Sequence, residues 1–567
     1  MKHNFNLGRK GKVLLVLVLF AALSVGFVTK SEKDFAIAKN LDIFVTLFRE
    51  VNTFYVDSID PEKLIDAGIN GMLESLDPYT TYIPEKDADE FKFMTTGKYG
   101  GIGALIRKAG DYTMISEPYE GFPAQRSGIV AGDTIMSING ASTKGKSISD
   151  VSEMLKGTPN TSLTLKIKRY GSDSTIVKTF DREQVAIPNV PYYGLMKNDV
   201  GYILLNNFTR DAGKEVRSAF IDLKDKGAKA VILDLRGNPG GLLNEAVNVV
   251  NIWVPKNQEV VATRGKVKQW DNTYKTESSA VDTTMPMAVL VNRGSASASE
   301  IVSGSLQDLD RAVIIGQRTF GKGLVQTTRP LTYNAQLKVT TAKYYIPSGR
   351  CIQALDYSHR NEDGSVGNVP DSLKSAFKTH NGRTVYDGGG IEPDIKIESD
   401  VPGNITIALY AQNLIFDFAT VYHTQHPTIK SVADFKVTDD IYNSFLQFLK
   451  NKHFEYKTSS SEKLADLEKT AKREGYYDIV ESDLNDLKEK LHGDKDKDLQ
   501  TFKTEISDLL KDEIVSRYYY QKGRIQANAL DDPEISKAIE VLDNKPAYSE
   551  ILHGSYKGET VFAVSTH

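Results

Sequence analysis

The distribution of hydrophobic and polar positions divides this chain into five segments. The first, residues 1–30, contains an uncharged apolar run from Val13 to Val28. In residues 31–96 apolar side chains recur every three or four positions, as in "AIAKNLDIFVTLFREVNTFYV", which predicts a small helical domain. In residues 97–182 short alternating runs such as "SLTLKIKRYG" lie between glycines and predict a β-rich domain.

The second half of the chain has two further patterns. In residues 183–400 continuous apolar runs such as "AVILDL" and "MAVLVN" alternate with helical stretches, which predicts an α/β domain with a buried sheet. Residues 401–567 are highly charged and have mostly helical spacing, so we expect a helical C-terminal region. The predicted fold class is therefore multidomain α/β.

The apolar run near the N-terminus indicates export. Arg9, Lys10 and Lys12 precede it, which is the charge pattern that keeps an N-terminus in the cytoplasm. Its length lies between the apolar part of a signal peptide and the roughly 20 residues of a membrane-spanning helix. We expect the remaining chain in the cell envelope, on the periplasmic side, either released by cleavage or anchored in the inner membrane.

Composition narrows the function classes. The 567 residues carry 70 Lys and Arg against 74 Asp and Glu, a formal charge of -4, so no broad basic field favours nucleic acid. The single cysteine, Cys351, excludes an internal disulfide and a cysteine metal cluster. The closest histidine pair, in "HTQH", favours a structural role, and we expect neither a metal nor an organic cofactor.

The β-rich segment contains a candidate carboxylate site. In "YGGIGALI", three glycines precede an apolar strand, so that successive N–H groups can point into one concavity. The turn in "AGDTIMSING" and the amphipathic "SISDVSEMLKG" follow, and this order resembles a PDZ domain. That family adds a peptide as an extra strand and holds its terminal carboxylate in the glycine loop. The resemblance implies a peptide site that binds apolar C-termini at Gly100, Gly101, Ile102 and Gly103.

A serine-rich stretch, "NRGSASASEIVSGSLQD", follows the apolar run "MAVLVN". The pattern after Ser297 is helical, which puts this serine at a strand-to-helix junction. The N–H of Ala298 and the positive end of the helix dipole would stabilise negative charge beside it. Taken alone, such serines are more commonly helix N-caps, and this alternative stays open.

A serine nucleophile needs a base. No histidine occurs between His3 and His359, so lysine is the alternative. Lys322 in "RTFGKGLVQ" lies between two glycines at the start of an apolar strand, where burial would lower its pKa from about 10.4. Gln326, four residues later on the same strand face, could orient the amine. An ordinary surface lysine is the alternative.

Four motifs together resemble the carboxyl-terminal processing peptidases, or tail-specific proteases. They are "DLRGNPGGLL", "GSASASEI", "TFGKGLVQ" and "GGIEPD", and the resemblance extends from Phe54 to Asp394. It implies a crotonase-like core with Ser297 as nucleophile, Lys322 as general base and Gln326 positioning the lysine. It also implies oxyanion donors at Ala298 and Gly241. Asp308, three helical turns after Ser297, is a supporting residue or a partner in a salt bridge.

The sequence therefore predicts an exported serine endopeptidase that cleaves proteins at or near their C-termini. Two other functions are alternatives: a PDZ-containing binding protein with an inactive core, and an acyl-CoA hydratase or isomerase on the same fold. The serine, lysine and glutamine set argues against the first, and export argues against the second. An adaptor protein and a second copy of the chain are further candidate partners. A polar insert, residues 354–386, has the composition of a mobile loop.

Overall fold

The computed structural model describes residues 33–399, 401–456, 459–491 and 495–564. The apolar run from Val13 to Val28, and with it the predicted export signal, lies outside these residues. The chain divides into two compact units, with the boundary between residues 82 and 83. The first unit contains α1 (33–54) and α2 (Pro61–Glu74), and the strand β1 (Thr81–Ile83) crosses the boundary. The predicted N-terminal helices are confirmed.

The second unit begins with α3 (Ala88–Thr96), which ends at Gly97, where a φ of 66° favours glycine. A β-rich domain follows directly. Leu163, Leu165 and Ile167 alternate with more exposed residues on one of its strands and are fully buried against the helix Ile148–Leu155, which confirms the period-2 prediction. The elements of this domain are β2 (Lys98–Gly101), β3 (Ala104–Ala109), β4 (Tyr112–Pro118), α4 (Pro123–Arg126), β5 (Thr134–Ile138), β6 (Ala141–Ser142), α5 (Ile148–Leu155), β7 (Ser162–Lys168), β8 (Thr175–Asp181) and β9 (Glu183–Ala186).

The strand order of this domain leaves one edge open. The main sheet runs β3-β4-β5-β7-β8, with β6 paired to β5, so that β3 is an edge strand. β2 pairs with β9 in a separate antiparallel ladder. The turn from β2 to β3 therefore lies beside a strand edge to which another strand can be added.

An α/β core follows, as the continuous apolar runs predict. Its elements are β10 (Tyr192–Leu195), β11 (Val200–Leu204), α6 (Ala212–Asp225), β12 (Ala230–Asp234), α7 (Leu243–Val250), β13 (Glu259–Gly265), β14 (Asn272–Lys275), β15 (Met287–Val291), α8 (Ala298–Asp308), β16 (Val313–Gly316), β17 (Leu324–Pro330), β18 (Gln336–Tyr345) and, after the insert, β23 (Ile395–Ser399). Parallel pairing joins β11, β12, β15, β16 and β23 in that order, and β10 lies antiparallel at one edge. A second, antiparallel sheet contains β17, β18, β13 and β14.

The insert differs from the predicted loop. It forms two short β-hairpins, the first from β19 (Leu355–Arg360) and β20 (Val366–Asn368) and the second from β21 (Ala376–Lys378) and β22 (Thr384–Tyr386). Polar composition concealed them because hairpins of this length bury few side chains.

The C-terminal region is mostly helical, as predicted. Its elements are α9 (Asn404–Ala411), α10 (Leu414–Gln425), α11 (Asp439–Lys450), α12 (Ser459–Glu474), α13 (Tyr477–Leu491), α14 (Lys495–Thr501), α15 (Lys503–Asp531), α16 (Pro533–Asp543), α17 (Lys545–Leu552) and β24 (Val561–Val564). Within the described ranges, no single helix has both the length and the apolarity of a membrane span; α9 and α10 reach them only as a pair bent by 61°.

The last part of this region belongs structurally to the core. The core sheet has two apolar faces because its strands are buried on both sides. α6, α7 and α8 cover one face, while α16 and α17 cover the other. β24 pairs in parallel with β23 and extends the same sheet. The mostly helical C-terminal region therefore also contributes one strand to the core sheet.

Candidate active site

The residues predicted to act in catalysis line one cavity of about 590 Å³. The loop before α7, the N-terminus of α8 and the segment around β17 meet there, and side chains of α3 form part of its wall. The wall is mostly apolar, with Leu242, Ile301 and Leu324 among its members. The predicted site residues that it includes are Gly241, Ser297, Ala298, Lys322 and Gln326.

Ser297 is the residue immediately before α8. Its φ of 55° and ψ of -110° form a backbone conformation that is costly for a non-glycine residue. The N–H of Ser297 donates to the Glu300 carboxylate at 2.8 Å, and its carbonyl accepts from the Tyr344 hydroxyl at 3.2 Å. Both backbone groups are thus fixed, so the surroundings hold the serine in this strained geometry at the cavity.

The other four serines of the stretch have a different role. Each is fully buried, and each hydroxyl donates to a backbone carbonyl at 2.8 or 2.9 Å. They are Ser295, Ser299, Ser303 and Ser305. Of the five serines, Ser297 alone lines the cavity.

The loop between β12 and α7 lies against the predicted nucleophile. The carbonyl of Asn238 accepts from the N–H of Ala296 at 3.0 Å and from the Ser299 hydroxyl at 2.9 Å. Gly240 has a φ of 97°, and a β carbon there would lie 2.9 Å from the β carbon of Ser297. Only glycine permits this approach of the loop to the serine.

Two residues of the cavity lining, Ala298 and Gly241, come from different elements. Ala298 is the first residue of α8, so its N–H has no acceptor within the helix. Gly241 forms an isolated bridge with Phe208, and the hydrogen bonds of that bridge use the carbonyl of Gly240 and the N–H of Leu242. The N–H of Gly241 takes no part in this ladder. Both groups are therefore candidates to bind an anionic oxygen.

Glu300 was missed in the sequence analysis. It is fully buried, and its two oxygens accept four hydrogen bonds, from the N–H groups of Ser297, Gly321 and Lys322 and from the Thr319 hydroxyl, at 2.6 to 2.9 Å. Burial raises the pKa of Glu300 to about 7, and the four donors offset part of this rise. One carboxylate thus connects the serine to the loop that carries the predicted base.

A sequence signal for Glu300 exists. Serine at an N-cap followed three residues later by glutamate is the signature of a capping box, in which the glutamate accepts from the N-cap N–H. That signature accounts for the bond to Ser297. The three bonds to residues 319–322 join segments that are distant in sequence, and only the folded structure reveals them.

Lys322 lies in the loop before β17, between glycines that the packing requires. A β carbon on Gly321 would lie 2.4 Å from the β carbon of Ala354, and one on Gly323 would lie 2.8 Å from the Gln353 nitrogen. The loop is therefore packed closely against the start of the insert, which fixes the lysine backbone at the cavity.

Gln326 lines the same cavity as Lys322, although Lys322 lies in the loop before β17 and not on the strand where it is predicted. Its amide nitrogen donates to the Thr340 hydroxyl on β18 at 3.2 Å. That contact fixes the side chain of Gln326 at the cavity. Orientation of the lysine by Gln326 stays a prediction.

Asp308 lies near the C-terminal end of α8, remote from the catalytic cavity lining. Its carboxylate pairs with Arg350 at 2.8 Å and accepts from the N–H of Ser348 at 2.9 Å, with both charged side chains buried. Burial raises the pKa of Asp308, although Arg350 opposes this rise. Of the two roles that the sequence left open, the structure favours the ion pair.

The predicted peptide-binding glycines lie at the β2–β3 turn. Gly100 and Gly101 end β2 and pair with β9, while Ile102 and Gly103 form the turn itself. Gly103 has a φ of 70°, and a β carbon there would lie 2.3 Å from that of Phe122. The turn therefore needs glycine both for its conformation and for close packing.

The ranges that the structure describes contain no group of three or more histidine, cysteine, aspartate or glutamate side chains arranged to hold a metal ion. The single cysteine, Cys351, is a half-buried thiol whose pKa is raised by burial.

Three sequence profiles match successive parts of the chain. Peptidase family S41 matches residues 199–358, a PDZ domain matches residues 114–169, and the C-terminal helical domain of probable PDZ-proteases matches residues 405–542. The first covers Ser297 and Lys322, and the second lies within the β-rich domain.

Two named relatives are similar over more than half of the chain. The carboxy-terminal-processing protease of Bartonella bacilliformis is 38% identical over 321 residues, which is 56% of this chain and 73% of that protein. A probable CtpA-like serine protease of Staphylococcus aureus is 36% identical over 345 residues, 60% of this chain and 67% of that protein.

Among solved structures, the photosystem II D1 C-terminal processing protease is 29% identical and aligns over 55% of this chain and 89% of its own, with a TM-score of 0.33.

Proposed function

Because the chain belongs to peptidase family S41 and is a C-terminal processing serine protease with a PDZ domain, we propose that it is exported and cleaves protein tails with a Ser297–Lys322 pair. The main support is the shared cavity, on which a serine at a helix N-terminus, a lysine and two candidate oxyanion donors meet. The PDZ domain would select substrates by their free C-termini.

The first chemical step is acyl transfer to Ser297. Neutral Lys322 accepts the hydroxyl proton, the serine oxygen attacks the peptide carbonyl, and the N–H groups of Ala298 and Gly241 stabilise the oxyanion. The protonated lysine then gives its proton to the leaving amine. Water repeats the attack on the acyl-enzyme, with the lysine again as base, and restores the free serine.

The surroundings suit a lysine base. The cavity wall is mostly apolar, and such a wall disfavours the charged form of an amine. A lysine that has taken the serine proton there would readily give it to the leaving amine. Glu300 holds the backbones of Lys322 and Ser297 together, because both N–H groups donate to the same oxygen, Oε2. The two reacting side chains therefore start from adjoining, fixed backbone positions.

Tail recognition is supported by the open edge of β3 and the glycine turn beside it. A tail could pair along β3 and place its carboxylate at the turn of Ile102 and Gly103. α3 and β2, which precede this turn, connect it to the cavity. Phe93 of α3 lines the cavity and packs edge-on against Tyr99 of β2, with ring centres 5.4 Å apart. Peptide binding at the turn can therefore affect the cavity wall.

Amidation of a substrate C-terminus is expected to reduce cleavage of a long apolar tail peptide. The amide cannot supply the charge that the N–H groups at the turn would bind, so kcat/KM should fall by about tenfold or more. Steady-state cleavage of matched acid and amide peptides measures this. The control is a peptide too short to bridge the turn and the cavity, for which both forms should react alike. Equal rates for the long pair would contradict tail recognition.

Cells that carry Ser297→Ala in place of the wild-type protein are expected to accumulate envelope proteins with uncleaved C-termini. The variant keeps the fold and the PDZ domain but lacks the attacking hydroxyl. Mass spectrometry of C-terminal peptides from both strains measures this and identifies the substrates. Identical C-termini in the two strains would argue against processing, and in favour of a binding protein with an inactive core.

Export is supported by the basic residues before the apolar run of residues 13–28. N-terminal sequencing of protein from the membrane and soluble envelope fractions distinguishes a cleaved signal from an uncleaved anchor. The same fractions can be tested for a bound adaptor protein and for association between copies of the chain.

A further inference from the structure

The loop that carries Gly241 is held by the C-terminal region. Arg236 lies near the start of this loop, separated from β12 by Leu235, and its guanidinium is largely buried. It donates to the Asp234 carboxylate at 2.6 to 3.1 Å through two nitrogens. Its third nitrogen reaches two carboxylates that lie almost 300 residues further along, Asp532 at 2.8 Å and Glu534 at 3.0 Å.

The two distant carboxylates are at the start of α16. Asp532 is the N-cap of that helix, and one of its oxygens accepts from the N–H groups of Glu534 and Ile535 at 2.8 and 3.0 Å. The other oxygen of Asp532 faces Arg236. Buried apolar residues of α16 lie in the cluster on the second face of the core sheet. Asp532 and Glu534 therefore lie at the N-terminus of a helix that packs directly against the core sheet.

Hydrogen bonds of Asn238 connect the loop of Arg236 to the segment that carries Ser297. Within the loop, the Asn238 side chain donates to the carbonyl of Leu205 at 2.7 Å and accepts from the N–H of Gly240 at 2.9 Å. The Asn238 carbonyl receives hydrogen bonds from the segment that carries Ser297. A displacement of the loop would move Gly241 relative to Ser297, and oxyanion stabilisation depends on such distances.

We propose that Asp532 and Glu534 are positioning residues for catalysis: from the C-terminal region, they hold Arg236 and thereby the loop that presents the N–H of Gly241. The inference rests on the proposed function, in which Gly241 is an oxyanion donor. It assigns the C-terminal region a part in the chemistry. The core sheet alone would then form an incomplete site.

The test compares Asp532→Asn, Glu534→Gln and the double variant with the wild-type full chain. Asparagine keeps the N-cap, and glutamine keeps an oxygen acceptor, so each change removes a charge with little change in shape. Glu540→Gln is the matched control, because Glu540 lies on the same helix and pairs with Lys537 at the surface. Thermal unfolding of each variant establishes the folded fraction at the assay temperature.

For the double variant we expect kcat to fall by about 10- to 100-fold with KM within about twofold, since the transition state needs the oxyanion donor more than the bound substrate does. A substrate-like peptide aldehyde, whose adduct with Ser297 carries the oxyanion, should lose affinity by a similar factor. Glu540→Gln should match the wild type in both measurements. A folded double variant with wild-type kcat and aldehyde affinity would overturn the proposal, as would an effect on KM alone.

Amide hydrogen exchange separates this inference from the proposed function. Faster exchange of residues 237–241 in the double variant, but not in Glu540→Gln, supports the positioning role without reference to turnover. A wild-type protein that neither cleaves peptides nor binds the aldehyde would contradict the proposed function. Unchanged exchange in the double variant would contradict the positioning role even in an active enzyme.

Discussion

Lys322→Ala is expected to lower kcat for peptide cleavage by about 10³-fold or more while leaving the protein folded. The substitution removes the proposed proton acceptor, and a positioned general base contributes about 10² to 10⁴-fold to such reactions. Ser297→Ala should lose at least as much, and the double variant should lose little more, because the two residues act as a unit. Initial rates on a tail peptide, with circular dichroism for folding, measure both effects.

Two variants serve as controls for this prediction. Lys338→Ala removes another lysine from the wall of the same cavity and should cost less than about tenfold if position, not charge, matters. Ser303→Ala removes a buried hydroxyl whose bond goes to the Ser299 carbonyl one helical turn earlier. Near wild-type cleavage by Lys322→Ala would refute the serine–lysine assignment, and equal losses in both lysine variants would leave it without support.

Glu300→Gln is expected to reduce kcat by about 10²-fold, a loss that higher pH does not restore. The wild-type carboxylate accepts from four donors, whereas a glutamine would direct its NH₂ group at two of them. The backbones of Ser297 and Lys322 would then lose their common anchor, and small displacements of reacting groups have effects of this size. Glu505→Gln, a buried glutamate that accepts from Gly403 and Thr406 in the helical domain, is the control and should stay active.

The same carboxyl predicts a pH dependence. Burial raises the pKa of Glu300 from 4.5 to about 7, so the folded state keeps a proton that the unfolded state has already lost between these values. The contribution of Glu300 to stability is therefore most favourable below about pH 4.5 and is lost as the pH rises to about 7, a change of about 3 kcal/mol. Activity should change in the opposite direction, because the ionised form accepts all four bonds.

Urea unfolding of the wild type and Glu300→Gln across this pH range isolates the contribution of the carboxyl. Glutamine does not titrate, so the difference in unfolding free energy should shift in favour of the variant as the pH rises. A difference that stays constant from pH 4.5 to pH 7 would show that Glu300 keeps an ordinary pKa. In that case the pH profile of activity must come from another group.

Much of the fold could be predicted from the hydrophobic pattern and from the backbone conformations that individual residues favour. The alternation on β7 and the continuous apolar runs of β12 and β15 follow from which faces of a strand are buried. The turn of Gly100 to Gly103 follows from the conformations that glycine alone adopts. These features depend on neighbours within a few residues, so they can be read along the chain. The insert hairpins could not be read this way because they bury few side chains. β24 could not be read because its partner, β23, lies far earlier in the chain.

The sequence by itself determined most of the helices and strands, the junction at which Ser297 sits and the absence of histidine from the region between His3 and His359. Only the tertiary structure decided which side chains meet. It brought Lys322 to the cavity of Ser297, gave Asp308 to Arg350, and joined Arg236 to a helix almost 300 residues away. The physical reason is that backbone preference and hydrophobic period act locally, whereas buried charges find partners wherever folding leaves no water to satisfy them.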